Sequence, residues 1–378
     1  MIVGLLKEPE NERRVALLPQ AIEQLKKWQL EIRVEQQAGL KAYASDETYR
    51  AAGAQVVSRQ DVLESDLIIG IHPLEQQELE RLRPNAWLIG QFQPLVQHSY
   101  VLRLAERRIT SFSMDMVPRI TRAQVMDVLS SQATVAGYRA VMVAAQYLPR
   151  FFPMLMTAAG SLAPARVLVL GAGVAGLQAI ATARRMGAVV EAFDTRSAVK
   201  EEVQSLGAKF IEVAGALESA AAGGYAVEQH EEFLQRQRQK IREHAIKADV
   251  VICSAQVPGK RAPLLIPHAT VADMRPGSVI VDLAAASGGN CEDTRNQEVV
   301  RTPNLVTIVG NSNLAADLPI DASRMYGNNL ISFLKLLIRE GSLSLNLDDA
   351  IVAETCITHQ GEVISPRVRE ALALPAIG

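Results

Sequence analysis

The stretch RVLVLGAGVAGLQAIATARRMGAVVEAFDTR, residues 166–196, decides the fold. It opens with a β-rich apolar run at 167–170, continues through a glycine turn into a helical segment at 177–186, and ends in a second β-rich run at 189–193. Strand, turn, helix and strand make a βαβ unit, the context that the pattern Gly171-x-Gly173-x-x-Gly176 needs to be read as a dinucleotide fingerprint. Gly171 permits the tight turn, Gly173 lets backbone approach a pyrophosphate, and Gly176 allows close packing of helix on strand. The helix N-terminus then directs unpaired N–H groups and a partial positive charge at the phosphates. Asp194 ends the second strand 18 positions after Gly176, where a carboxylate accepts hydrogen bonds from both ribose hydroxyls. It favours NAD over NADP, because a 2′-phosphate would meet a negative charge. Arg196, two positions on, is the counter-signal.

The same alternation extends outward in both directions. Later β-rich runs at 210–213, 249–254, 278–283 and 306–309 continue this series, and an earlier series at 2–6, 31–35, 67–71, 87–91 and 109–114 alternates with helical segments such as 19–28 and 100–107. The predicted architecture is α/β: two Rossmann-like doubly wound parallel-sheet domains with a cleft between them. The first is discontinuous, residues 1–130 plus 325–378. The second is the NAD-binding Rossmann domain, residues 131–324, with a mobile loop near 214–230. A helical connector spans 122–148, a helix covers 326–340, and 350–364 reads as two strands around 359–362 that return to the first domain. The Ala- and Gly-rich insertion is longer than a crossover needs, and the charged helix after it, 228–247, is most simply a solvated face.

Length and composition bound the function. At about 150 residues per domain, 378 residues suggest two domains. The 39 basic and 41 acidic residues leave a net charge of -2, and no long Lys/Arg run supplies the footprint of a nucleic-acid or anionic-membrane binder. The uncharged stretches 84–102, 151–165 and 167–183 are each interrupted by Pro, Gly or Gln, so no membrane span is expected. The apolar start, 1–6, is shorter than a signal-peptide core. Cys253, Cys291 and Cys356 form no CxxC pair, so neither a metal site nor a redox motif is expected. A cytoplasmic protein fits.

A second informative stretch is SMDMVPRITRAQVMDVLSSQ, residues 113–132. A helix starting after Pro118 would place Gln124, Asp127, Ser130 and Ser131 on one arc of about 120°. Such a stripe can orient a carboxamide by hydrogen bonds, or it is an exposed helix face. Arg119, just ahead of it, adds to the polar cluster.

At these residues the chain closely resembles the NAD(H)-binding component, domain I, of proton-translocating NAD(P) transhydrogenase, over essentially its full length. The matching runs are KEPENERRVALLP at 7–19, VPRITRAQVMDVLSSQATVAGYRA at 117–140, MTAAGSLAPARVLVLGAGVAGLQAIATARRMGA at 156–188 and RPGSVIVDLAAASGGNCE at 275–292. The resemblance implies direct hydride transfer from NADH to NADP⁺ held by a separate domain III, coupled to proton passage through membrane domain II. It further implies a homodimer, peripherally joined to the membrane through those partners. It places Arg119, Gln124, Asp127 and Ser130 near the nicotinamide, with Gln124 helping to bring the two rings together. Val174, Asp194, Thr195 and Arg196 match the pyrophosphate and adenosine-ribose positions. Gly224, Tyr225 and Gln237 fall on the family's mobile loop and the helix after it, and Gln256 in the NAD crevice. Two departures, Arg261 where Pro is familiar and the Ala-rich run 220–222, bear on the loop more than on the ligand.

Two alternatives are carried. An alanine dehydrogenase shares the fold and the RVAL run with Arg14, but it needs a substrate-carboxylate clamp and a general acid/base. The stretches that would carry the base are IIGIHPL, with His72, and IGQFQPL, with the non-titrating Gln93. A non-catalytic NAD-binding or assembly protein is the third reading.

Overall fold

A computed structural model describes residues 1–213, 215, 230–257 and 259–375. The chain packs as two compact units, Met1–Gln132 with Ala316–Gly378, and Ala133–Ala315. The divisions fall at 132/133 and 315/316, where the sequence places them at 130/131 and 324/325.

In the first unit eight strands form one sheet, in the order Glu362–Val363, Cys356–His359, Thr110–Ser113, Trp87–Gly90, Leu67–Ile69, Ile2–Leu5, Glu31–Glu35, Gln55–Val57. The six from the N-terminal segment are parallel, and the two C-terminal strands pair antiparallel at one edge. The C-terminal hairpin is thus built into its own unit's sheet. Both faces are covered, as a parallel sheet requires. Along Leu67–Ile69, Leu67 and Ile69 enter one core and Ile68 the opposite one. The helix Pro319–Leu337 starts on a proline, which suits a first helical turn. Its apolar residues recur at helical spacing, and Tyr326, Leu330, Phe333, Leu334 and Leu337 join Val3, Leu5 and Ile32 in the first core.

The second unit has seven strands, in the order Lys209–Phe210, Val189–Phe193, Arg166–Leu170, Val250–Cys253, Val279–Asp282, Thr307–Val309, Val299–Arg301. All pairs are parallel except the last. Val167 and Val169 pack on Ala140, Val141, Ala179 and Ile180 on one face, while Leu168 and Leu170 pack with Ile241 and Ala245 on the other.

Four expectations change. The polar stripe does not lie on one helix: a 3-10 helix at Thr121–Met126 ends at Asp127, whose backbone is extended (φ -75°, ψ 92°), and the α-helix starts afresh at Val128–Tyr147. The segment 350–364 is not two strands throughout. Asp349 accepts a hydrogen bond from the Ile351 N–H and starts a helix at Ala350–Thr355 before the hairpin begins. The charged helix, Glu231–Ala245, is not only a solvated face, because Phe233, Gln237, Ile241 and Ala245 recur every four residues and are buried. A hairpin of Leu155–Thr157 and Gly160–Leu162 and the edge strand Val299–Arg301 were not expected. The expected loop near 214–230, with Gly224 and Tyr225, lies outside the described residues apart from its ends.

Candidate functional site

The second unit's strand order reverses between Arg166–Leu170 and Val250–Cys253, which makes their carboxyl ends a topological switch point. The glycine turn lies there. Gly171 adopts a left-handed φ of +96°, and a Cβ on it would stand 2.8 Å from the Ala255 nitrogen. A Cβ on Gly176 would stand 1.9 Å from the Gly171 carbonyl oxygen, so the first turn of the helix Val174–Arg185 lies directly on the loop. Gly137 has the same task from the other side, its Cβ position 2.1 Å from the Ala175 carbonyl oxygen. Gly173 differs from all three: no described atom stands within 4 Å of the position a Cβ would take. The turn is closed by packing everywhere except at the helix N-terminus, where an anionic group fits.

Asp194 follows Phe193 at the end of the next strand and is tied to this turn. Its Oδ2 accepts the Ala172 N–H at 2.7 Å and Nη2 of Arg196 at 2.7 Å. Its Oδ1 accepts the Arg196 backbone N–H and Nε, each at 2.9 Å. The hydrogen bond to Asp194 holds the Arg196 guanidinium above its ordinary value, against the effect of burial. Thr195 between them is half-buried, and Val174 at the helix start is exposed.

The opposite lip is held by a network that the motif does not contain. The Asn290 amide bonds Ala255 through both N–H and C=O, at 3.1 and 2.8 Å, and also the Pro263 carbonyl. Asn290 is in turn held by buried Asp282, which accepts from the N–H groups of Ala284, Asn290 and Cys291 and from the Thr294 hydroxyl. Burial pushes Asp282 above the usual carboxylate range in spite of these four donors. Ser254 Oγ donates to the Gly171 carbonyl at 2.9 Å, and exposed Gln256 donates to Ser287 Oγ at 2.6 Å. The available signal was a carboxylate at a strand end followed by the left-handed pair Gly288-Gly289. Gln237 is buried, and its Oε1 has no partner among the described residues.

In the first unit, Asp127 caps the helix Val128–Tyr147: it accepts the Ser130 N–H at 2.9 Å and the Ser130 hydroxyl at 2.6 Å. Asp127 and Ser130 are therefore brought together, half-buried, while Gln124 and Arg119 are exposed on the segment before them. The 3-10 helix bearing Gln124 is pinned by Asn329, which donates to the Val125 carbonyl at 2.8 Å, and by a two-point Arg122–Asp349 ion pair at 2.7 Å each.

This unit's sheet also reverses, between Ile2–Leu5 and Leu67–Ile69. Here Glu8 fills the switch point. Its carboxylate accepts the N–H groups of Ile71 at 2.6 Å and His72 at 3.1 Å, and His72 Nδ1 lies 3.0 Å from it. Buried Glu12 chelates Arg14 through Nε at 2.9 Å and Nη2 at 2.7 Å, and Arg14 Nη1 donates to Gln132 at 2.8 Å. Gln93 is exposed, at a left-handed φ of +48°. Among the described residues no group of His, Cys, Asp and Glu is placed to hold a metal ion, and no helix is long and apolar enough to cross a membrane.

An open glycine turn at a switch point, tied to a carboxylate at the next strand's end, defines the class: a two-unit α/β protein with a dinucleotide-binding turn in its second unit. Two family models cover most of the chain, alanine dehydrogenase/PNT N-terminal domain over residues 4–136 and alanine dehydrogenase/PNT C-terminal domain over residues 140–366. The NAD(P) transhydrogenase subunit alpha of Haemophilus influenzae is 41% identical over 99% of this chain and 74% of its own length. An NAD(P) transhydrogenase subunit alpha chain of Rhodospirillum rubrum is 43% identical over 94% of this chain and 95% of its own length. The crystal structure of the transhydrogenase from Sinorhizobium meliloti superposes with a TM-score of 0.85 at 40% identity, covering 97% of this chain and 99% of that one. The chain belongs to the alanine dehydrogenase/PNT family, among relatives that are NAD(P) transhydrogenase alpha subunits.

Proposed function

We propose that the chain is the NAD(H)-binding catalytic component of a proton-translocating NAD(P) transhydrogenase, an oxidoreductase and translocase subunit active only with its partners. Hydride passes directly between NADH on this chain and NADP⁺ on a partner domain III, coupled to proton passage through a membrane domain II. The chain works as a homodimer on the cytoplasmic side, peripherally attached through those partners.

One observation carries this reading over the amino-acid dehydrogenase. The switch point of the second unit is open at Gly173, whereas Arg14, the guanidinium that would clamp a substrate carboxylate, is taken by Glu12 and Gln132. The residues present suit NAD(H). The N–H groups at the start of the helix Val174–Arg185, with Gly171, Gly173 and Gly176 shaping the approach, bind the pyrophosphate. Asp194, Thr195 and Arg196 serve the adenosine ribose, and Gln256 borders the crevice. Asp127 and Ser130 are preset by their mutual hydrogen bonds to orient a carboxamide, with Arg119 beside them. Gln124, exposed on its pinned turn, helps bring the two rings together. By resemblance, Gly224 and Tyr225 belong to a loop over the nucleotide and Gln237 to the helix behind it. The nicotinamide supplies the hydride chemistry, so no side chain has to move a substrate proton. Positioning is the chain's contribution, an effect that can reach about 7 to 11 kcal/mol.

The test is to mix the chain with a domain III partner carrying NADP(H) and follow cyclic hydride transfer, with alanine oxidation by NAD⁺ assayed in parallel. Fast transfer is expected, slowed by Gln124→Asn while NADH binding is spared, together with no alanine turnover. A robust alanine rate, or no transfer with a competent partner, overturns the proposal.

A further inference from the structure

We infer that the Arg196 side chain occupies the ribose's place on Asp194 and must swing off before a nucleotide seats, which makes Arg196 a specificity-determining latch. The inference rests on the NAD(H) site proposed above and deepens it. A carboxylate offers about four acceptor positions, and here four N–H groups use them: Ala172 N–H, Arg196 N–H, Arg196 Nε and Arg196 Nη2. The first two are backbone groups that belong to the turn. The other two come from a single guanidinium in the fork geometry that chelates a carboxylate. A ribose diol brings two O–H donors, and only the two side-chain bonds can be released without unmaking the turn. The Asp194 side chain is 6% exposed and the Arg196 side chain 26%, so the guanidinium has a way out to solvent.

The exchange acts oppositely on the two nucleotides. NADH replaces two charge-assisted N–H bonds by two O–H bonds on the same oxygens, so displacing the latch weakens its binding. NADPH has no free 2′-hydroxyl to offer and brings a phosphate beside Asp194, and the displaced guanidinium offsets that repulsion.

Fluorescence titration of the full chain with NADH and NADPH tests this in the wild type, Arg196→Met and Arg196→Lys. Met keeps the aliphatic stem without donors or charge, and Lys keeps the charge without the planar fork. NADH should bind about 3- to 10-fold tighter in both variants. NADPH should bind about tenfold weaker in the Met variant and within about twofold of wild type in the Lys variant. A loosened turn would weaken both nucleotides in both variants, so opposite signs distinguish the latch from a merely structural role. Saturable NADH binding that is no tighter in Arg196→Met than in wild type overturns the latch and leaves the NAD(H) reading standing. No saturable NADH binding by the wild type overturns both.

Discussion

The two sheets reverse their strand order in the same way, but their switch points are filled oppositely. In the second unit three glycines, Gly137, Gly171 and Gly176, are packed against backbone, while Gly173 faces open space with helix N–H groups beside it. In the first unit the equivalent position is closed by the chain's own charges: Glu8 takes the N–H groups a ligand anion would use, and Glu12 takes the guanidinium. One crevice keeps its donors for a visitor and the other has satisfied them internally. The same topology thus gives a binding site or a structural core according to which side chains follow the strands.

The largest effect should come from breaking the closed crevice. Glu12→Ala leaves Arg14 buried without its carboxylate and should destabilise the first unit by about 3 to 5 kcal/mol. Trp28 and Trp87, the chain's two tryptophans, both pack on that unit's core, so tryptophan fluorescence in urea follows it. Replacing the pair together, Glu12→Met with Arg14→Met, should recover much of the loss. A Glu12→Ala cost below about 1 kcal/mol would show that Arg14 has other adequate partners, and the contrast between the crevices would fail.

Breaking the open crevice should spare the fold. Gly173→Ala adds a Cβ where the structure has room, so the melting temperature should stay within a degree or two. Its NADH affinity should nonetheless fall about tenfold, because a pyrophosphate would share that room with the methyl. Unchanged NADH titration with an intact fold would mean the turn does not approach the phosphates.

The open crevice was far more legible in the sequence than the closed one. Its turn spans six consecutive residues, 171–176, in which strand, glycines and helix are all local, and Asp194 lies on the adjacent strand. The closed crevice depends on pairs 63 and 64 residues apart between Glu8 and the backbone of Ile71 and His72, and on Arg14 meeting Gln132 from 118 residues away. Spacing along the chain carries no record of such contacts. Asp282 and Asn290 were missed on the opposite lip for a similar reason, since Asn290 reaches back 35 residues to Ala255. Periodicity misled at Asp127, where a polar residue that continues a helical arc ends one helix and caps the next. It also misled at 350–355, where a β-rich composition yielded to the Asp349 cap.

The smallest expected effect is a difference in acid response between the two buried carboxylates. Burial pushes Glu12 up, but the hydrogen bonds and charge of Arg14 outweigh it, and the carboxyl sits below its ordinary value of 4.5. A depressed carboxyl contributes stability that is fully present above its unfolded value and is lost as pH falls through the folded one. The advantage of wild type over Glu12→Gln should therefore shrink as urea unfolding, read by tryptophan fluorescence, is taken below about pH 4.5. Asp282 has the opposite sign: burial holds it above 3.8 in the folded state. Its charged form costs stability above the folded value, and that cost disappears on acidification. Wild type should accordingly gain on Asp282→Asn over the same range, read by circular dichroism. Parallel slopes for the two pairs of proteins would mean that the closed crevice holds its carboxylate no better than the open one holds its supporting Asp282.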